Sequence, residues 1–160
     1  MSTFVGREAE IAELASLIGY ARLVSVTGLG GSGKSRLVVA VARRVESRFP
    51  DGVWWVPLAE VTEPANVTDA VAETVHLSET GGCSRMAALL ARLRTSRALL
   101  ICDNCEHLGD AVAELVEQLL ADCESLRVLA TRQRPLGVAG EVNWVVPPLS
   151  TPAGPDAALD

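Results

Sequence analysis

The sequence predicts a doubly wound α/β domain, a five-stranded parallel sheet layered between helices, and three observations carry that expectation. Apolar runs of strand length alternate with segments of helical period along most of the 160 residues. One of these runs, 98–102 (Ala-Leu-Leu-Ile-Cys), is apolar without alternation, as a strand buried on both faces of a parallel sheet must be. A glycine-rich stretch, 28–33, joins the first strand-like run directly to a helical segment. The length suits one domain with its own core, and a composition of 49% hydrophobic and 21% charged residues can build one.

The elements follow in order. Residues 7–19 place Ile11, Leu14, Ala15 and Ile18 at helical spacing, with Glu8, Glu10 and Glu13 early in the helix where acids oppose its positive end. Residues 23–27 form a short β run, and beyond the glycines Leu37, Val38, Val41 and Val45 recur every three or four positions. A second strand, 53–56, is introduced by the turn residues Pro50, Asp51 and Gly52 and stopped by Pro57, which cannot donate to a ladder and marks a strand end or sheet edge. Helices are expected over 66–75, with Asn66 as its cap, and over 84–95, with a loop at 78–82 between them. The third strand, 98–102, runs into Asp103, a helix spans 110–122, and strands four and five cover 126–130 and 142–146. Four prolines crowd 147–155, so the expected domain is 1–146, with residues 147–160 as a Pro-rich linker or tail.

A formal net charge of -6 argues against a surface that grips nucleic acid by releasing counterions, so no direct nucleic-acid partner is expected. No apolar stretch is long enough to cross a bilayer, and Arg7, Glu8 and Glu10 interrupt the place of a signal peptide's apolar core, so a cytoplasmic location and no membrane partner are expected. Thirteen of the 14 basic residues are Arg. Lys34 is the only lysine, which marks a place where a compact ammonium matters. Cys102 and Cys105 form a C-x-x-C, with His107 and Cys123 as the nearby further donors for a metal. Buried, unreactive thiols are the competing reading, favoured because Cys102 falls inside an apolar strand.

The chemistry concentrates at Gly28-x-x-x-x-Gly33-Lys34-Ser35, the phosphate-loop pattern placed between a strand and a helix. Its glycines let successive N–H groups converge on phosphate oxygens, where a Cβ would obstruct the approach. Nucleotide contacts are expected from Gly28, Gly30, Gly31, Ser32, Gly33, Lys34, Ser35 and Arg36, with Lys34 reaching the β- and γ-phosphates and the Ser35 hydroxyl ligating Mg²⁺. The fold thereby narrows to that of a P-loop NTPase binding ATP or ADP with Mg²⁺. Asp103, at a strand end, is the expected second Mg²⁺ residue, against the alternative of a helix cap. Asn104 stands where many ATPases place a catalytic Glu, while Glu106 either polarises a water or serves as a capping-box acid. Arg132 senses a γ-phosphate if its strand neighbours the first, or else is a solvated surface residue.

Together these residues resemble the STAND class of signal-transduction ATPases, in particular the nucleotide-binding domain of bacterial regulators of the AfsR/LuxR-like type, related to NB-ARC domains. Phe4-Val5-Gly6-Arg7-Glu8 is similar to the family's N-terminal motif, whose Val and Arg lie at the adenine, which makes 1–20 the adenine-side segment. Residues 28–35 are similar to its Walker A, 49–54 to its second strand, 100–108 to its Walker B, and 135–141 to its segment after the sensor. The family's usual Thr-Ser-Arg reads Thr131-Arg132-Gln133-Arg134 here, which leaves Arg132 and Arg134 both as sensor candidates. The resemblance implies a nucleotide-dependent switch, held inactive by ADP and released by ATP for self-association and signalling, often to transcription. A lid and effector domains belonging to relatives are not found within these residues. The competing expectations are an AAA-like ATPase that turns over, with Glu106 as base, and a degenerate copy that binds no nucleotide.

Overall fold

The computed structural model describes residues 7–31, 33–77 and 82–147. Five strands, β1 (Leu23–Thr27), β2 (Val53–Pro57), β3 (Leu99–Asp103), β4 (Arg127–Arg132) and β5 (Glu141–Val145), form one sheet in the order β2-β3-β4-β1-β5. Every pairing is parallel, so all five carboxyl ends lie along one edge. All but Pro147 of the expected tail at 147–160, the loop residues 78–81, and Phe4, Val5, Gly6 and Ser32 lie outside the described residues.

Because the sheet is covered on both sides, residue parity within a strand decides which layer each side chain joins. Leu99 and Ile101 of β3 face a layer formed by α1 (Glu8–Tyr20) and α2 (Lys34–Val45), through Leu14, Ile18, Leu37 and Val41. Leu100 and Cys102 face the opposite layer of α3 (Val67–Thr74), α4 (Arg85–Leu93) and α5 (Gly109–Asp122), through Val71, Leu89, Val112 and Val116. The four residues expected to form the apolar stripe of the first helix are the four that α1 buries.

Two local expectations change and one holds. Asn66 makes no side-chain cap; α3 is entered through a 3₁₀ turn, Pro64–Asn66, whose proline already supplies a helical φ. β3 and β4 each run further than the apolar pattern indicates, to Asp103 and Arg132, because ladder bonding continues past the last apolar residue. Pro57 ends β2, which is an edge strand, so its missing N–H costs no ladder bond. The turn before β2 requires glycine: Gly52 has φ +116°, and the Trp54 indole lies 2.8 Å from where a Cβ would sit.

Candidate functional site

The β1–α2 junction fixes the first half of the site. Gly31 and Gly33 adopt φ of +82° and +87°, and a Cβ on either would meet no atom, so backbone conformation rather than crowding calls for glycine there. Gly33 occupies the N-cap position of α2, and Lys34 and Ser35 form the first turn, where helix N–H groups lack intrahelical partners. Lys34 Nζ donates to Gly28 O at 2.7 Å and Leu29 O at 3.0 Å, so the ammonium is folded against its own loop. Partial burial lowers the Lys34 pKa, opposed by the charges of Glu106 and Asp103.

The second half comes from β3 and β4, which pair so that Asp103 and Thr131 share the carboxyl edge. One oxygen of Asp103, Oδ1, accepts from Ser35 Oγ at 2.9 Å and from Thr131 Oγ1 at 2.8 Å. Thr131 Oγ1 in turn accepts from Asn104 N at 2.8 Å. Asp103 is therefore not a helix cap. Its carboxylate bridges the first turn of α2 to β4. Asn104 takes φ +59°, a left-handed conformation that Asn tolerates better than most residues, and this turns the chain sharply out of β3.

Arg132 is 9% exposed, so the solvated-surface alternative does not hold. Its strand neighbours β1, the condition on which the sensor reading depended, and Gly28 N donates to Arg132 O at 3.2 Å. The guanidinium donates from Nη1 to Pro135 O at 2.9 Å and pairs with Glu106 Oε2 at 3.8 Å. It also lies in a notch left by Gly109, where a Cβ would come within 2.6 Å of Nη2. Glu106 is not a capping-box acid: Oε1 accepts Gln133 N while Oε2 faces Arg132. The 136–138 turn that carries this arrangement is fastened by Glu141, whose carboxylate accepts from Leu136 N at 2.7 Å and Gly137 N at 2.8 Å.

A cavity of about 320 Å³ opens between these halves, and Gly30, Gly31, Gly33, Lys34, Ser35 and Arg36 line it from the loop side. Asn104, Glu106, Thr131, Arg132 and Gln133 line the other side. Arg134 is exposed and Arg7 is 5% exposed, and neither lines the cavity. Two contributors were not singled out from sequence. Thr131 reads as an ordinary strand former, although a hydroxyl ending an apolar strand needs a partner and so carries a signal. Gly109 reads only as a helix start.

The C-x-x-C is inert packing. Cys102 and Cys105 are buried and unbridged, burial pushes the Cys102 thiol far up and Cys105 up to about 12, and both stay protonated near neutral pH. His107 is spent on Val61 O at 2.7 Å, and among the described residues no three His, Cys, Asp or Glu side chains gather around a metal position. Among the described residues no helix is long and apolar enough to cross a membrane.

A family model described as an AAA ATPase domain matches residues 3–131. An uncharacterised protein of Mycobacterium tuberculosis is 38% identical over 150 residues, covering 94% of this chain and 38% of that protein. A protein of the same organism named as an HTH-type transcriptional regulator is 43% identical over 135 residues, covering 84% of this chain and 15% of its own length. The chain thus spans well under half the length of these relatives. Among solved structures, a signal transduction ATPase with numerous domains (STAND) from Pyrococcus horikoshii, with a tetratricopeptide repeat sensor, superposes with a TM-score of 0.60. At 15% identity, over 84% of this chain and 22% of that one, this likeness concerns the fold.

Proposed function

The chain belongs to the AAA ATPase domain family, and from that premise we propose that it binds ATP and ADP with Mg²⁺ as the switch module of a signal-transducing regulator, with hydrolysis slow or absent. The observation that carries this reading is the single Asp103 oxygen shared between the hydroxyls of Ser35 and Thr131, at the mouth of a glycine loop holding Lys34. A hydroxyl and a carboxylate in direct contact are a hard oxygen donor pair suited to a small divalent cation. Ser35 and Asp103 would hold Mg²⁺, which would supply charge neutralisation to the polyphosphate.

The chain's own residues account for the rest. The amides of Gly30, Gly31 and Gly33 and the first turn of α2 present partial positive charge to the polyphosphate. Lys34 exchanges two loop carbonyls for phosphate oxygens, which its ammonium prefers. Arg132 faces a choice between the Glu106 carboxylate and a γ-phosphate. A diphosphate offers no γ-oxygens, so ATP and ADP favour different positions of this arginine, and that difference is what allows a ligand to bias two states.

Slow turnover is supported by the state of Glu106, whose two oxygens are taken by Gln133 N and Arg132, leaving it poorly placed to polarise a water. The regulator relative supports a role in signalling to transcription. Titration of ATP and ADP with and without Mg²⁺, beside phosphate release from wild type and Glu106→Gln, tests the proposal. Expected are saturable, Mg²⁺-dependent binding and turnover well below ~1 per second, changed little in the variant. Turnover near ~1 per second that vanishes in Glu106→Gln establishes instead an ATPase with Glu106 as base. Unchanged ATP binding by Lys34→Ala defeats both readings.

A further inference from the structure

The opposite end of the sheet holds a second cavity of about 320 Å³, as large as the one at the glycine loop. Arg48, Arg97 and Arg127 line it against a single carboxylate, Glu124. In a chain of net charge -6 this is a local excess of positive charge. None of these arginines forms an ion pair among the described residues, and neither does the adjacent Arg22.

Helix dipoles explain part of the cluster. Because the strands are parallel, α1 and α5 end here, and their terminal carbonyls attract cations. Arg48 Nη1 donates to Ala15 O at 2.8 Å, Arg127 Nε to Ile18 O at 3.3 Å, and Arg22 Nη2 to Cys123 O. Each such bond uses one of five guanidinium donors, which fixes the group and leaves most of its donors unused. The dipoles do not explain Arg97, whose guanidinium makes no hydrogen bond to the described residues. Burial and the neighbouring Arg22 charge both pull Arg127 below the usual arginine range, so an added negative charge here relieves repulsion already present.

We propose that this cavity is a second anion site, taking the phosphate group of a small phosphomonoester on Arg48, Arg97 and Arg127. The three lining guanidiniums and the adjacent Arg22, set against Glu124 and the Asp51 carboxylate that accepts from Arg97 N at 2.7 Å, leave two positive charges, and a phosphomonoester carries about −1.5 to −2 at neutral pH. The planar guanidinium fork matches phosphate oxygens in pairs, and two of the three forks are already anchored, which lowers the ordering cost of binding. Glu124 and Ser125 stand ready to read hydroxyl groups on the rest of the molecule, with Phe49 as an apolar wall.

The site is independent of the nucleotide proposal, and its test is built to be so. Glycerol 2-phosphate is titrated into the Lys34→Ala chain without Mg²⁺, followed by its ³¹P resonance. A saturable shift is expected, weakened about tenfold or more by combining Arg48→Gln with Arg97→Gln. Both side chains are exposed and Arg97 holds nothing in place, so folding should survive, with circular dichroism as the check. Absence of a saturable shift, or a shift that survives both substitutions in a folded chain, overturns the site.

Discussion

At the carboxyl end of the sheet one Asp103 oxygen is shared by two hydroxyls, whereas at the amino end Arg48 and Arg127 rest on main-chain carbonyls. The two ends hold cavities of equal size, yet the means of binding an anion differ. The first offers main-chain amides, a helix start and one ammonium; the second must overcome helix ends of the wrong sign with a surplus of guanidiniums. A parallel arrangement imposes this asymmetry, since each crossover leaves the sheet at its carboxyl edge and returns the chain to the amino edge. What it teaches is that the glycine-loop end draws its positive potential largely from its backbone, and the arginine end only from its side chains.

Substitutions can break or sharpen that contrast. The largest effect is expected from Lys34→Ala, which removes the only lysine and should weaken ATP and ADP binding by about 100-fold in equilibrium titration, given ~1.5–3 kcal/mol per charge-assisted bond. The arginine cavity should be untouched. Thr131→Val comes next: Thr131 is 2% exposed and leaves Asn104 N and one Asp103 bond without a partner, so urea denaturation should show a loss of about 1–3 kcal/mol, with Thr131→Ser restoring most of it.

Gly109→Ala fills the notch beneath Arg132 and should dislodge its guanidinium from Glu106, raising the ratio of ATP to ADP affinity by about threefold to tenfold, or ~0.7–1.4 kcal/mol. An unchanged ratio would show that Arg132 does not distinguish the two nucleotides. The smallest effect is expected from Arg44→Ala, which breaks an exposed pair with Glu8 at 3.2 Å and should shift stability by at most about 0.5 kcal/mol in the same denaturation assay.

Much of the glycine-loop end is legible in the sequence because its parts are contiguous: strand, glycines, Lys34, Ser35 and helix follow without interruption. The α/β class is legible for the same reason, as each layer's apolar stripe lies within one segment. Strand order is not. A helical crossover can return a strand to either side of its predecessor, so nothing local places β4 beside β1. The partnership of Asp103 with Thr131, separated by 28 residues, depends on that order and becomes visible only with the sheet assembled. Likewise, the contacts of Glu106 and Arg132 rest on the approach of two loops. The arginine cavity was hidden by dispersion, since Arg48 ends a 3₁₀ turn, Arg97 lies between α4 and β3, and Arg127 opens β4, with no motif among them.

Apart from any α-amino group, Lys34 carries the chain's only primary amine, partly enclosed and shedding its proton below the usual lysine range. Acylating reagents are therefore directed to a single side chain, and at mildly alkaline pH its deprotonated fraction exceeds that of a solvated lysine. Bound polyphosphate should shield it and restore its proton, so the rate of labelling, read by intact mass, becomes a direct gauge of occupancy.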